Sequence, residues 1–111
     1  MSEKRIAIVG LGCAGCHALQ AIRETDGGAE IDIYSETELP PYNPMLTTYY
    51  AAGRLPYEAL FPFGTLEEVE RKFSPVLHMD APVAALEKDE RALTLSTGER
   101  MAFDAVLLAT G

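Results

Sequence analysis

The pattern of apolar and polar positions divides the first third of the chain into a strand, a helix and a second strand. Residues 5–10 form a short, nearly all-apolar and β-branched run, which is typical of a strand buried on both faces of a parallel sheet. From residue 14 to about residue 25 the apolar residues recur at helical spacing, and 26–28 supply the stop. Residues 31–34, Ile-Asp-Ile-Tyr, predict a second strand. This order predicts a right-handed βαβ unit with parallel strands.

The middle of the chain is irregular and then helical. Pro40, Pro41 and Pro44 exclude regular structure between residues 38 and 45, because proline fixes φ and lacks a backbone donor. A short helix is predicted over 46–52. Thr65 and Glu68 have the spacing of a capping box, which predicts a helix running to about residue 73.

The remaining third is rich in predicted strands. Residues 76–79 predict a third strand, and the runs 83–87, 92–96 and 100–103 predict a β-meander. The apolar run 105–109 predicts another buried parallel strand, so the fold class is α/β. Since the chain stops directly after this strand, with no helix to cover the sheet, we expect it to be a segment of a longer protein.

Composition narrows the class of protein. A chain of 111 residues with 48% hydrophobic content suits one domain, and its net charge of −8 disfavours nucleic acid and anionic membranes as partners. It contains no apolar run of membrane-spanning length and no signal-peptide pattern, so we expect a cytoplasmic protein. Two cysteines in that compartment are not expected to form a structural disulfide.

Three glycines between the first strand and the first helix fit the pattern G-x-G-x-x-G. Gly10 permits a tight turn, Gly12 lets the backbone approach a pyrophosphate, and Gly15 lets the helix pack closely on the strand. Glu36 lies 21 residues after Gly15, where it would accept hydrogen bonds from ribose hydroxyls and repel a 2′-phosphate. The alternative is that these glycines only form a corner and Glu36 is a solvated surface acid.

Cysteines within the same motif suggest other chemistry. Cys13, Cys16 and His17 fit C-x-x-C-H, the attachment motif for c-type haem, although the strand-rich pattern and the missing export signal disfavour that interpretation. A dithiol with a pKa lowered at a helix N-terminus is a second alternative. We favour two small buried cysteines, with His17 on the helix surface. His78 has no companion that would suggest a metal site.

Taken in order, these features resemble a known family. The glycine motif, Glu36, the Pro-Pro-Tyr-Asn loop at 40–43, the meander and the closing Asp-Ala-Val-Leu-Leu-Ala-Thr-Gly run at 104–111 are similar to the N-terminal FAD-binding segment of the pyridine nucleotide-disulfide oxidoreductases. The nearest branch is that of the NADH:rubredoxin, ferredoxin and nitrite reductases. The resemblance covers essentially residues 1–111 and implies a truncated FAD-binding domain, with a Rossmann-like parallel sheet and a β-meander.

The resemblance also implies which residues hold the cofactor. The pyrophosphate would be held by Gly10, Gly12, Ala14 and Gly15. The adenosine ribose would be bound by Glu36, and the adenine by the backbone around Val83. The underside of the cofactor would be contacted by Ala109, Thr110 and Gly111.

The activity implied is that of a flavoprotein oxidoreductase. Such an enzyme moves hydride from NAD(P)H to FAD and passes electrons to an acceptor. The NAD(P)H-binding insertion and the C-terminal return that completes the FAD domain lie beyond these residues, so we expect no catalytic residue here and no activity of the segment alone. The alternative is a non-catalytic NAD- or nucleotide-binding module. Exposed sheet edges also favour a homodimer.

Two departures from the family pattern change the expected chemistry. The positions where relatives of this branch carry Arg and Lys fall on Pro44 and Tyr49, so the charge near the flavin is missing. No cysteine lies between residues 36 and 111, so disulfide reduction by the family's thiols is not expected. Tyr42, Tyr49 and Tyr50 either line the flavin pocket or anchor the loop, and both interpretations stay open.

Overall fold

The computed structural model describes residues 4–110, which form a four-stranded parallel sheet, a three-stranded antiparallel sheet and a helical layer. In chain order the elements are β1 (Arg5–Val9), α1 (Cys13–Thr25), β2 (Glu30–Tyr34), a 3-10 helix at Pro44–Leu46, α2 (Thr47–Ala51), a second 3-10 helix at Tyr57–Leu60, α3 (Leu66–Phe73), β3 (Val76–His78), β4 (Val83–Glu87), β5 (Ala92–Leu95), β6 (Arg100–Ala102) and β7 (Ala105–Leu108).

The parallel sheet has the order β3-β2-β1-β7, and β1 is paired on both sides. Ile8 in β1 lies opposite Ile33 in β2 and opposite Leu107 in β7. The meander has the order β4-β5-β6. The predicted α/β class, the βαβ unit and the meander are therefore confirmed, with strand ends shifted by only one residue.

Helix α1 covers one face of the parallel sheet. Its buried residues Cys16 and Leu19 pack with Ile8 and Ile31 in one apolar cluster, to which Val69 of α3 also belongs. This burial is the main force that holds the helical layer on the sheet. Among the described residues, no helix has the length and apolar character needed to cross a membrane.

The Arg23 side chain ties α1 to the neighbouring elements. Its Nε donates to the Phe73 carbonyl at 2.6 Å, and one terminal nitrogen donates to the Ala29 carbonyl at 2.7 Å. The other terminal nitrogen donates to the Ser74 carbonyl at 3.2 Å. The guanidinium thereby satisfies carbonyls at the end of α3 and just before β2, which helps to fix the helical layer.

The meander covers the other face of the sheet. Tyr34 of β2 is buried there with Leu93 and Phe103. Its ring stacks on His78 at 4.4 Å between centroids, and His78 Nε2 lies 2.9 Å from Asp32 Oδ1. Because both of its faces are covered, β1 is a nearly continuous apolar run in the sequence. Strand β2 departs from this pattern at Asp32, whose carboxylate is paired with His78.

The predicted capping box is confirmed. The Thr65 hydroxyl accepts from the Glu68 backbone N–H at 3.2 Å, and the Glu68 carboxylate accepts from the Thr65 N–H at 3.4 Å. Helix α3 ends at Phe73, and the capping residue Ser74 that follows has a left-handed φ of 52°. The backbone N–H groups of Thr65 and Glu68 are therefore both hydrogen-bonded by side chains at the start of this helix.

Two predictions about the loop and the last strand need correction. Irregular structure was predicted through residue 45, but a 3-10 helix begins at Pro44, because proline suits a first helical position and the Asn43 side chain accepts from the Met45 N–H. Strand β7 is parallel as predicted but is not buried. It lies at the sheet edge, with Leu107 and Leu108 40% and 58% exposed.

Candidate functional site

A cleft of about 710 Å³ opens where the carboxyl ends of β1, β2 and β7 meet the meander. This is within the usual volume range of small-molecule sites, and the carboxyl ends of parallel strands are where α/β sheets bind ligands. Of the predicted site residues, those that line the cleft are Gly10, Gly12, Ala14, Glu36, Val83, Ala109 and Thr110. Gly111 lies outside the described residues.

Gly10 holds the first strand's loop against the end of β7. Its φ is +107°, and a Cβ built there would lie 2.4 Å from the Ala109 carbonyl oxygen. Its own N–H donates to the Tyr34 carbonyl at 2.8 Å. The chain therefore requires glycine here for its own packing, whether or not a ligand is bound.

Gly15 has a similar structural role inside α1. A Cβ at this position would lie 2.2 Å from the Gly10 carbonyl oxygen, which agrees with the predicted close approach of helix and strand. Gly15 is buried behind the loop and is not among the residues that line the cleft. Its contact with a cofactor stays a prediction.

Gly12 has neither a positive φ nor a close contact at its Cβ position, unlike Gly10 and Gly15. Its backbone is ordinary extended chain, with φ −99° and ψ −163°, and a Cβ built there would have no atom within 4 Å. It precedes α1 without a side-chain cap, and the first turn of α1 carries no acidic residue. The unpaired N–H groups and the helix dipole at this end favour an anion.

The opposite wall of the cleft is formed by the segment after β2 and by the start of β4. The Ser35 hydroxyl accepts from the Thr37 N–H at 3.3 Å, and the Ser35 carbonyl accepts from the Ala81 N–H at 2.8 Å. These bonds fix the backbone on either side of Glu36, which is exposed at the cleft. Within the described part of the chain, Glu36 is the only charged residue that lines the cleft.

Several lining residues were not predicted. Ser35 and Thr37 flank Glu36, and the rule that ligands bind at the carboxyl ends of parallel strands would have identified them. Ala84 and Ala85 enter the wall because β4 folds across the sheet. No signal in the sequence marks these two alanines, since their position depends on tertiary packing.

Of the three tyrosines predicted either to line the flavin pocket or to anchor the loop, one lines the cleft and two do not. Tyr42 and Pro44 line the cleft, and the Tyr42 carbonyl accepts from the Cys13 thiol at 3.4 Å. Tyr50 instead packs against Tyr57, with ring centroids 5.6 Å apart. Neither Tyr49 nor Tyr50 is among the residues that line the cleft.

The cysteine motif is divided between cleft and core. Cys16 is fully buried in the helix–sheet core, as predicted. The prediction of a buried cysteine is wrong for Cys13, which is partly exposed and lines the cleft. Burial raises the pKa of the Cys16 thiol from 9.0 to about 11, with a smaller contribution from Cys13, so the lowered pKa predicted for a dithiol is wrong for Cys16. Haem attachment is also inconsistent with a sulfur inside the core.

Each histidine packs against an aromatic ring. His17 is exposed as predicted and packs edge-on against Phe63, with ring centroids 5.1 Å apart. His78 is paired with Asp32 and stacked on Tyr34. Over residues 4–110, no group of three or more metal-ligating side chains is present.

We expect the two thiols to react with Ellman's reagent at very different rates. Cys13 faces the cleft, whereas at pH 8 a thiol with a pKa of about 11 is only about 0.1% thiolate and Cys16 is also shielded from solvent. The remaining thiol of Cys13→Ser should therefore react at least about 100-fold more slowly than that of Cys16→Ala. Urea should abolish the difference, and equal rates in the folded variants would contradict the burial of Cys16.

Comparisons with a family model and with a curated relative indicate the same protein family. Residues 4–111 match the model of the family described as pyridine nucleotide-disulphide oxidoreductase. The chain is 28% identical over 111 residues to a probable ferredoxin reductase of Castellaniella defragrans, covering 99% of this chain and 27% of that protein.

Solved structures agree on the fold. The covalent putidaredoxin reductase–putidaredoxin complex aligns with a TM-score of 0.86 and 25% identity over 100% of this chain and 26% of that chain. NADH:rubredoxin oxidoreductase from Clostridium acetobutylicum aligns with a TM-score of 0.81 and 18% identity over 99% and 28%. The chain therefore spans about a quarter of the length of these relatives.

Proposed function

Because the chain belongs to the pyridine nucleotide-disulphide oxidoreductase family, we propose that it is the FAD-binding segment of an NAD(P)H-dependent flavoprotein oxidoreductase. FAD is the cofactor of the family's enzymes and NAD(P)H their electron donor. The observation that carries the proposal is the open space beside Gly12, at the uncapped N-terminus of α1. A cleft placed there suits the pyrophosphate of a dinucleotide.

The phosphate end of the site would be formed by the backbone of the glycine loop. Gly12 and Ala14 line the cleft beside the first turn of α1, while Gly10 and Gly15 keep the loop close to the sheet. Since the described lining residues include no Lys or Arg, neutralisation of the pyrophosphate charge here would depend on the N–H groups and dipole of the helix.

The adenosine end would be recognised by Glu36 and by the backbone at Val83. The Glu36 carboxylate lies at the carboxyl end of β2, where it would accept hydrogen bonds from the ribose hydroxyls. A 2′-phosphate would be repelled there, which favours FAD over an NADP-type ligand at this site.

The flavin end would lie towards Ala109 and Thr110, with Gly111 following them. Both described residues line the cleft directly after β7. When bound, FAD would supply the hydride and electron chemistry, and this chain would bind and orient it. Transfer from NAD(P)H to an electron acceptor would take place in the complete enzyme. We also expect a cytoplasmic location and no catalytic residue in this segment.

FAD binding tests this function directly. The protein is mixed with FAD, excess cofactor is removed by desalting, and the absorbance is recorded from about 300 to 700 nm, where the flavin itself absorbs. We expect retained flavin bands, and roughly 10- to 150-fold weaker FAD affinity in Glu36→Ala, since a hydrogen bond to a charged group contributes about 1.5–3 kcal/mol.

Glu38→Ala is the matched control. Glu38 is an exposed acid two residues further along the same loop, but it does not line the cleft. Its replacement should leave FAD affinity unchanged. Retention of NADH without any retained flavin would instead indicate the non-catalytic nucleotide-binding module.

A further inference from the structure

The first turn of α1 carries two cysteines that the cofactor-binding proposal does not use. Cys13 is the first residue of the helix and lines the cleft, whereas Cys16 is fully buried against the sheet. Both thiols are free in the structure. The spacing Cys-x-x-Cys is that of dithiols which exchange with disulfides. At the start of α1 this spacing places an accessible thiol beside a shielded one.

Helical geometry brings the two cysteines close together. The Cys16 N–H donates to the Gly12 carbonyl at 3.0 Å, so the backbone is already helical across the pair. Residues three apart in a helix have Cβ atoms about 5–6 Å apart, and a disulfide requires about 3.5–4.5 Å. The nearby Cys13 also contributes to the raised pKa of the Cys16 thiol. A movement of about 1–2 Å would therefore let the two sulfurs bond.

The start of α1 is the part of the helix that can make this movement. The first N–H groups of a helix have no partner within it, and Gly12 provides no side-chain cap. Ala14, which follows Cys13, is exposed, so a shift of Cys13 towards Cys16 displaces no buried side chain there. A disulfide formed in this way would be strained, and strained disulfides are readily reduced again.

The Cys13 sulfur also contacts the proline-rich loop at the edge of the cleft. Its thiol donates to the Tyr42 carbonyl at 3.4 Å, and Tyr42 itself lines the cleft. A disulfide sulfur carries no hydrogen and cannot donate this bond. Oxidation of Cys13 would therefore remove a contact between α1 and the loop.

We propose that Cys13 and Cys16 form a thiol–disulfide exchange site that reacts with low-molecular-weight disulfides. The Cys13 thiolate attacks one sulfur of the small disulfide, which forms a mixed disulfide and releases one thiolate. Cys16 gives its proton to solvent and attacks the Cys13 sulfur, which releases the second thiolate. The two cysteines lose two electrons in total, and the small disulfide is reduced to two thiols.

Mass spectrometry of the intact chain tests the proposal with oxidised glutathione as the probe. The reduced chain is incubated with the probe at about pH 8, quenched with acid and then alkylated under denaturing conditions. We expect a chain lighter by two hydrogen atoms, with neither cysteine alkylated. Treatment with dithiothreitol should restore two alkylatable thiols.

Two single-cysteine variants separate the two steps. Cys16→Ala should accumulate one bound glutathione at Cys13, because no second thiol can displace it. Cys13→Ser should react at least about 100-fold more slowly, because Cys16 is shielded from the probe. Circular dichroism checks that each variant is folded.

Three results would overturn the proposal. A chain with both cysteines that retains glutathione as Cys16→Ala does would show that Cys16 cannot reach Cys13. A disulfide between two copies, seen on a non-reducing gel, would show that Cys13 reacts outside its own chain. A chain that does not react would show that Cys13 is inaccessible. Since the experiment contains no FAD, its failure is distinguishable from a failure of cofactor binding.

Discussion

Replacing Gly12 by valine is expected to reduce FAD affinity at least about 100-fold, because the new side chain would fill the space in which the pyrophosphate is proposed to lie. The fold should tolerate the change. The backbone at Gly12 is ordinary extended chain and a Cβ meets no atom within 4 Å, so the free energy of unfolding should change by no more than about 1 kcal/mol. FAD titration and urea unfolding measure the two effects separately.

Gly27 provides the matched control for Gly12. It is exposed after α1 and far from the cleft walls, and its Cβ would come no nearer than 4.0 Å to the Arg23 carbonyl oxygen. Gly27→Val should therefore leave FAD affinity unchanged. A folded Gly12→Val protein that binds FAD as tightly as the unmodified chain would show that no phosphate group lies beside Gly12.

The elements around the cleft could be predicted because each depends on local chemistry. The strand-glycine-helix pattern correctly places Gly10 and Gly12 between β1 and α1, and Gly15 in the first turn of α1. Thr65 and Glu68 fix the start of α3 by hydrogen bonds four residues or fewer apart. In both cases the residues that determine the structure are neighbours in sequence, so the pattern alone is enough.

The features that could not be predicted from the sequence depend on which elements pack against each other in the folded chain. An apolar strand at the centre of a sheet and one at its edge have the same pattern, which is why the exposure of Leu107 and Leu108 was not predicted. The same limit separates Cys13 from Cys16: both lie in the first turn of α1, but only Cys16 faces the sheet. The sequence pattern assigned a role to each of the three glycines, but the atom that a Cβ would meet at each position is given only by the structure.

Gly10→Ala is expected to be the most destabilising of the glycine replacements, lowering the free energy of unfolding by at least about 3 kcal/mol. Two costs combine at this position. An alanine would have to adopt a φ of +107°, and its Cβ would lie 2.4 Å from the Ala109 carbonyl oxygen, a backbone atom that cannot rotate away. Since small domains are stable by only about 5–15 kcal/mol, urea unfolding should show a clearly lowered midpoint.

Replacements at two other glycines measure the backbone strain and the steric clash separately. Gly98 has a φ of +96° but open space around its Cβ, so Gly98→Ala should show only the backbone strain, about 1–2 kcal/mol. Gly15 lacks a positive φ, but its Cβ would lie 2.2 Å from the Gly10 carbonyl oxygen. Gly15→Ala should therefore show the clash, about 1–3 kcal/mol, less the roughly 0.5–1 kcal/mol that alanine gains over glycine inside a helix. If Gly10→Ala costs no more than Gly98→Ala, the loop moves freely away from Ala109. The close contact between the glycine loop and the end of β7 would then not hold the cleft in shape.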